Sequence, residues 1–266
     1  MATDKTTVGD TPEVEAVYPL SHHLGDLRKR LMYSMGCVAL MFILCYWQRK
    51  YVVAFVTQPL TSLLADFPTA SLTTLKLTEG FFAEMKLALI AAFAISMPFI
   101  LFQFWKFIAP GLYRSERRYL VGFVFSASIL FFGGAAFAYN LVFPLGFKFF
   151  LSINQGYDMI ATLSIELYIN FVVKLVIAFG LAFDLPVVIF FLAKIGIVNA
   201  AMLRKYRKFA ILGIFVFAAV ITPPDVISQL MMAGPMLLLY EISIWIAARV
   251  AKKPEETEDG SVDIYE

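Results

Sequence analysis

The sequence predicts an all-α integral membrane protein with six transmembrane helices and both termini in the cytoplasm. Hydrophobic residues make up 60% of the 266 residues and charged residues only 16%, whereas a soluble domain is about one quarter charged. The apolar residues form six runs, and most basic residues lie in the segments on one side of these runs. Together these observations exclude a soluble fold.

The region before the first span divides into two parts. Residues 1–17 are rich in Thr, Asp and Glu, so they predict a disordered tail ahead of a membrane domain of residues 18–252. In segment 18–30, Ser21 can cap a helix, and leucines recur at steps of three and four. This pattern predicts an amphipathic helix on the membrane surface that leads into span one. Residues 253–266 are acidic and predict a second disordered tail.

The six apolar runs differ in length. In chain order the predicted spans are 31–48, 87–105, 119–147, 169–193, 209–222 and 226–248. Span five has only about 14 to 16 uncharged residues, fewer than the roughly 20 that cross a normal bilayer. We expect spans five and six to be short, with the membrane thinned beside them or the helices shielded by protein.

The distribution of Lys and Arg predicts the orientation. Of 22 basic residues, 16 lie in the amino end, in 106–118, in 194–208 and in the carboxyl tail, and the other 6 lie in the opposite loops and span four. By the positive-inside rule, both termini are therefore cytoplasmic. Arg49 and Lys50 follow span one on the outer side and oppose this assignment, but they are outnumbered.

Span four contains an acid at a depth where acids are rare. The run carries Lys174, Asp184 and Pro186, and an ionised carboxylate there costs several kcal/mol unless it faces protein or water. Pro186 has no backbone N–H, so it frees the carbonyl of Ala182 and predicts a kink. Asp184 is a candidate intramembrane polar site. The alternative is that burial keeps it neutral without function while Lys174 extends to the membrane surface.

Two further acids lie in basic cytoplasmic segments. Asp26 and Glu116 contribute nothing to orientation, which depends on Lys and Arg. A local ion pair with Arg28, Arg30 or Arg117 would account for them. The other interpretation is a site for a cation, because carboxylates match the planar fork of an arginine.

A compact turn separates spans five and six. Pro223 and Pro224 make it rigid, and Asp225 can cap the start of span six. Thr222 and Gln229 flank the turn and can hydrogen-bond to another helix in lipid, at roughly 0.5 to 2 kcal/mol each. An ordinary cap and turn explains these residues equally well.

The sequence contains no recognisable catalytic or metal centre. His22 and His23 are its two histidines, and they lack Cys, Asp or Glu partners at metal-ligand spacing. Hydrolase and nucleotide-binding motifs are absent. The sequence therefore predicts a protein that is not an enzyme and has no cofactor or metal.

Several segments carry a resemblance to a known family. They are HLGDLRKRL at 23–31, QPL at 58–60, FWKFIAPGLYRSERR at 104–118, FAYNLVFPLGF at 137–147, AFGLAFDLP at 178–186 and ITPPDVISQ at 221–229. With these segments the sequence resembles the TatC family, the polytopic receptor of the twin-arginine protein translocase. The resemblance covers nearly the whole chain outside its tails.

The resemblance implies a receptor in the bacterial cytoplasmic (inner) membrane that binds the twin-arginine signal peptides of folded precursor proteins. It implies assembly with single-span proteins of the TatA and TatB type and with further copies of the chain. Export of the cargo would be driven by the proton motive force. No nucleic acid is implied as a partner.

The resemblance also implies roles for individual residues. Glu116 and Asp26 would hold the arginine pair, with Arg28, Arg117 and Phe107 nearby. Asp184 would be the family's intramembrane acid. Single-span partners would contact faces that carry Tyr139, Thr222 and Gln229. Pro59 and Pro186 would be structural. The family usually has Glu where this chain has Asp26 and Asp184, so the reach of each carboxylate falls by about 1.5 Å, one C–C bond length.

The alternative function is an ion-coupled secondary transporter of a small solute, with Asp184 as the proton carrier. Such transporters usually show internal repeats and paired broken helices, but the sequence has one Pro-interrupted acidic span and no matching half. An intramembrane hydrolase is disfavoured because no serine has a histidine base near it within the spans.

Overall fold

The computed structural model describes residues 20–67, 70–108, 120–156, 162–222 and 226–250, and these are almost entirely helical. The two predicted tails lie outside the described residues. Five helical segments are long and apolar enough to cross a membrane: 25–47, 79–108, 121–153, 165–194 and 226–250. A shorter helix occupies the position of predicted span five.

The first helix, α1 (Leu20–Trp47), is continuous. The helix predicted in segment 18–30 is helical from Leu20 and runs into span one without a break. The junction around Arg28 and Leu31 consists of Leu, Arg and Lys, which are good helix formers, so nothing ends the helix before the membrane begins. Ser21 is the second residue of α1 and not its cap.

A second helix that was not predicted, α2 (Arg49–Leu64), follows a turn at Gln48. It contains Pro59, which has no N–H to donate to the carbonyl of Phe55 one turn earlier. The hydroxyl of Tyr139 donates to that carbonyl instead, and the hydroxyl of Tyr168 donates to the carbonyl of Val56. These two bonds attach α2 to the helical bundle.

A short parallel ribbon joins the loops before the second and fourth long segments. Strand β1 (Ser71–Thr73) pairs with β2 (Thr162–Ser164), with Ser71 opposite Thr162 and Thr73 opposite Ser164. Helix α3 (Glu79–Ile108) follows β1 and packs along α1, where Cys45 is buried beside Ala88 and Ala92 of α3.

The third long segment changes its helical pitch in the middle. Helix α4 (Leu120–Phe137) passes into a π-helical turn (Ala138–Val142) and then α5 (Phe143–Gly156). The N–H of Phe143 bonds to the carbonyl of Ala138, five residues back. Pro144 is the next residue; its ring would clash with the carbonyl four residues before it in a regular α-helix, and the wider π turn relieves that clash.

The fourth long segment is interrupted, as predicted, beside Pro186. Helix α6 (Ile165–Phe183) ends and α7 (Leu185–Lys194) begins on either side of Asp184. Helix α6 crosses α4 closely, because a Cβ atom at Gly180 would lie 2.6 Å from the ring of Phe131. Large residues of α5 and α6, Phe143, Tyr168 and Phe179, are fully buried in the core beside this crossing.

Three helices complete the described chain: α8 (Ala200–Lys205), α9 (Arg207–Ile221) and α10 (Val226–Val250). With 15 residues, α9 is about 22 Å long, short of the roughly 30 Å of a hydrocarbon core. The expectation that span six is also short is wrong, since α10 has 25 residues. Pro235 does not end α10, and the helix continues through Glu241 to Val250.

Candidate functional site

The break between α6 and α7 buries the carboxylate of Asp184. Only 6% of the residue is exposed, and its neighbour Pro186 is also buried. Among the described residues, Asp184 Oδ1 has no hydrogen-bond partner. A buried acceptor without a donor costs about 1–3 kcal/mol, so a donor supplied by another molecule would be bound favourably here.

The main chain at Asp184 is satisfied although the side chain is not. Its carbonyl accepts hydrogen bonds from Val187 and Val188, both at 3.0 Å, which start α7. Lys174, the other charged residue of predicted span four (169–193), is exposed on α6, and no ion pair joins it to Asp184 in the described structure.

The predicted arginine-binding residues are only partly described. Asp26 is half-buried, and its Oδ2 lies 3.9 Å from Nη2 of Arg30, one turn along α1. This pair supports the local ion-pair interpretation, but so long and partly exposed a contact contributes under about 1 kcal/mol. Arg28 is exposed on the same helix.

The other residues of this predicted group lie in or beside the following loop. Phe107 is half-buried at the end of α3. Glu116 and Arg117 lie outside the described residues. Whether Asp26 and Glu116 come together therefore stays a prediction.

Tyr139, a predicted partner contact, lies in the π turn and is already engaged within the chain. Besides its hydrogen bond to Phe55, its ring stacks on the Phe55 ring with centroids 4.9 Å apart and planes 7° apart. Both rings line an apolar cleft of about 630 Å³ between α2, α3, α4 and α6. Tyr139 thus holds α2 against the bundle and also forms part of the wall of this cleft.

The two predicted polar contacts beside the turn between spans five and six lie at the ends of α9 and α10. Thr222 is buried and donates from Oγ1 to the carbonyl of Ala218 at 2.9 Å. Gln229 donates from Nε2 to the carbonyl of Phe215 at 3.0 Å and so joins the two helices. Pro223, Pro224 and Asp225 lie outside the described residues.

Sequence reasoning missed one polar centre, at Glu79. This carboxylate is 4% exposed and accepts hydrogen bonds from the backbone of Lys76 at 3.1 Å and of Glu166 at 2.9 Å. It also accepts from the backbone of Leu75 and the hydroxyl of Ser164. Its only sequence signal is an acid at a helix start, which is too common to single it out. Glu79 joins the loops on both sides of the ribbon.

No metal site is found in the part of the chain that the structure describes, because no three His, Cys, Asp or Glu side chains group together there. The chemistry of the described polar groups is hydrogen bonding and charge pairing. Asp184 differs from Asp26 and Glu79 in having a buried oxygen atom without a donor.

Comparison with known proteins gives one family. The family model described as Sec-independent protein translocase protein (TatC) matches residues 22–235. The TatC protein of Campylobacter jejuni is 44% identical over 239 residues, covering 90% of this chain and 97% of that protein. The Aquifex aeolicus TatC protein is 40% identical over 242 residues, covering 90% of this chain and 99% of that protein.

Solved structures give the same result. A crystal structure of the twin-arginine translocase receptor TatC superposes with a TM-score of 0.77 at 40% identity, covering 85% of this chain and 97% of that one. A second crystal structure of this receptor, in the detergent DDM, gives a TM-score of 0.78 at 40% identity and covers 85% of this chain and 99% of that one.

Proposed function

The chain belongs to the TatC family of Sec-independent protein translocase proteins, and we propose that it binds twin-arginine signal peptides of folded precursors and passes them to single-span partner subunits. It is a non-enzymatic, multi-pass inner-membrane protein of the twin-arginine translocation system. The ion-coupled transporter alternative is not supported.

The first step of the proposal is capture of the arginine pair at the cytoplasmic face, where we place both termini. Asp26 presents a half-buried carboxylate whose pairing with Arg30 is long at 3.9 Å. A signal-peptide guanidinium can replace that contact with two parallel hydrogen bonds, which are shorter and stronger. Glu116 would hold the second arginine, with Arg28, Arg117 and Phe107 bordering the site.

The second step is docking of a helix at Asp184, and this residue carries the proposal. Its buried Oδ1 has no donor among the described residues, and a polar side chain on an incoming transmembrane helix can supply one. An intramembrane hydrogen bond of this kind contributes roughly 0.5 to 2 kcal/mol. That is enough to select a helix with a polar residue at the right depth.

TatA- and TatB-type partners would also contact the outer half of the domain. Gln229 uses one N–H within the chain, and its amide has a second N–H and a carbonyl oxygen to offer a partner. Thr222, Tyr139 and the outer turn of Pro223, Pro224 and Asp225 would border the same contact. Several copies of the chain would assemble around the cargo.

The short helix α9 supports a route for the cargo. With 15 residues it is about 8 Å shorter than a hydrocarbon core. A bilayer beside it thins or admits water to avoid the mismatch. Thinning would lower the barrier to a folded passenger, with the proton motive force as the energy source.

Crosslinking tests the capture step. A photoreactive group placed beside the arginine pair of a signal peptide is expected to crosslink to the wild-type chain, and Glu116→Ala or Asp26→Asn should reduce the yield at least tenfold. Arg30→Gln serves as the matched control, since it removes the local partner of Asp26 but keeps both acids. Unchanged crosslinking in both acid variants, with folding verified by thermal unfolding, would remove the arginine-binding claim.

A further inference from the structure

Two lysines lie on the halves of α3 and α6 nearer the ribbon, and the function proposed above does not use them. The ammonium of Lys86 on α3 donates a hydrogen bond to Oδ1 of Asn170 on α6. Lys174 follows Asn170 by four residues, so it lies one turn further along the same face of α6. Both lysines are exposed. We call Lys86, Asn170 and Lys174 the two-lysine site.

Neither lysine of the two-lysine site is neutralised by an acid in the described structure. The acid nearest in sequence to the lysine of α3 is Glu84, which pairs with Arg49 at 3.0 Å. The acid nearest in sequence to the lysine of α6 is Glu166, which lies 3.8 Å from Lys76. Lys174 makes no hydrogen bond, ion pair or ring contact with any described residue. The site therefore carries two positive charges without a described counter-charge.

The charges along each helix place the two-lysine site at one boundary of the hydrocarbon core. On α3, no charged residue lies between Lys86 and Lys106. In span four, Asp184 lies midway between Lys174 and Lys194 and is the one charged residue of that interval. Each interval is 20 residues long, or roughly 30 Å along a helix, which is the thickness of a hydrocarbon core. The site thus lies at the level of the lipid phosphates, on the outer side in the orientation proposed above.

The donors of the two-lysine site lean toward the head groups. Side chains of an α-helix tilt toward its N terminus, and α3 and α6 both begin at the ribbon. The lysine stems can therefore stay beside the hydrocarbon while the ammonium groups reach its edge. Because Asn170 accepts through Oδ1, its NH2 group remains a donor, as do the other ammonium hydrogens. Several donors at one point suit an anion with several acceptor oxygens.

We propose that the two-lysine site binds the phosphate of one anionic phospholipid of the outer leaflet. The phosphate would lie between Lys86 and Lys174 and accept from the amide of Asn170. Leu89 on α3 and Leu181 on α6 continue the same faces away from the ribbon, and each is 48% exposed. An acyl chain can pack along these leucines. Basic residues between transmembrane helices bind anionic head groups in this way.

Other anions match the two-lysine site less well. An acid on a partner helix would have to lie at the boundary depth of its own span, whereas a lipid phosphate is at that depth already. Free inorganic phosphate fits the donors but makes no contact with Leu89 or Leu181. A phospholipid supplies the anion at the boundary and the apolar chain below it.

A lipid bound here would stabilise the contact between α3 and α6. The Lys86–Asn170 bond lies between the two helices, and a phosphate that contacts both lysines would add a second connection. A ligand that binds only the folded chain raises its stability. Phosphatidylglycerol should therefore raise the melting temperature of the wild type in detergent, and it should raise that of the Lys86→Gln, Lys174→Gln chain much less.

Native mass spectrometry of the full chain in detergent measures the binding. We expect phosphatidylglycerol to bind at least tenfold more tightly than phosphatidylcholine with the same acyl chains. Lys86→Gln with Lys174→Gln should reduce this preference to less than threefold. Lys50→Gln with Lys148→Gln removes the same charge from exposed lysines outside the site and should leave the preference unchanged.

A further variant cancels positive charge without removing a lysine. Asn170→Asp places a carboxylate beside Lys86, where an ion pair can still join α3 to α6. It should weaken phosphatidylglycerol binding at least fivefold. Asn199→Asp adds the same negative charge at the cap of α8, where Asp also accepts from a helix N–H, and should have no effect. This pair keeps the test valid even if the lysine variants fail to fold.

Three results would overturn the proposal. Equal affinity of the wild type for the two lipids would exclude recognition of the negative head group. Glycerol phosphate that competes as well as the intact lipid would exclude a contribution from the acyl chain. Loss of self-association in the chain with both lysines changed to Gln, with lipid binding unchanged, would assign the two-lysine site to a second copy of the chain.

Discussion

The hydroxyl of Tyr139 donates to the carbonyl of Phe55, the acceptor that Pro59 leaves without its usual helical partner. Tyr139 lies in the π turn, and Phe55 lies in α2, 84 residues earlier. The hydrogen bond thus joins a π-helical turn to a helix whose regular hydrogen bonding is interrupted by Pro59. The bond explains how a proline-containing helix outside the main spans is held against the bundle.

Tyr139→Phe should lower the free energy of unfolding by about 1–2 kcal/mol, because the Phe55 carbonyl loses its donor. In a Pro59→Ala background, Tyr139→Phe should lower the free energy of unfolding by less, since the backbone N–H of Ala at position 59 can bond to the Phe55 carbonyl. Thermal unfolding in detergent of the wild type, the two single variants and the double variant gives the coupling free energy between positions 59 and 139. Tyr51→Phe, an exposed tyrosine on α2, is the control. Equal losses in both backgrounds would contradict the assignment.

Gly134→Ala should destabilise the crossing of α4 and α6. The new Cβ would lie 2.8 Å from Cβ of Phe183 and still closer to the carbonyl oxygen of Phe179. Overpacking of this kind costs about 1–3 kcal/mol, more than the 0.5–1 kcal/mol that Ala gains over Gly in a helix. Gly133→Ala, with open space beside it, should be neutral or slightly stabilising. Equal melting temperatures for the two variants would refute this account of the crossing.

Glu79→Gln should lower the melting temperature by several degrees and expose the ribbon loops to protease. The amide keeps one acceptor oxygen but turns an NH2 group toward backbone donors that a carboxylate had satisfied. Glu166→Gln is the matched control, because its ion pair with Lys76 is long at 3.8 Å and both side chains are at least half exposed. If Glu166→Gln lowered the melting temperature as much as Glu79→Gln, the loops would be stabilised by negative charge alone and not by the hydrogen bonds that the Glu79 carboxylate accepts.

The helices of the membrane domain could be predicted from sequence because their signals are local. An apolar run of spanning length and a proline beside Asp184 need no knowledge of neighbours. The regions of all six predicted spans are helical in the described chain. The predicted bounds of span six, 226–248, agree with α10 to within two residues, so the error lay in expecting this span to be short.

The contacts between distant segments could not be predicted. Glu79 and Ser164 are 85 residues apart, and no periodicity connects them. The same holds for α2, whose stability depends on Tyr139 and Tyr168 far along the chain. The acid at Asp184 was identified from its depth alone, but its unpartnered oxygen required the positions of the surrounding side chains.

Asp184→Asn should fold as well as the wild type, since burial of a neutral amide costs no more than burial of a carboxyl group. We expect its disulfide crosslinking to a partner transmembrane helix to fall at least fivefold, because the strongest acceptor of the site is lost. Lys174→Gln removes a charge from an exposed position on the same span and should crosslink normally. Normal crosslinking of Asp184→Asn would leave Asp184 without the docking role.

Export of a folded passenger with a twin-arginine leader tests the central claim most directly. The chain carrying both Glu116→Gln and Asp184→Asn would replace the wild type in cells, with its membrane level matched by immunoblot. We predict that export falls below a tenth of the wild-type rate, because both docking acids are neutralised. Export at the wild-type rate would contradict the account.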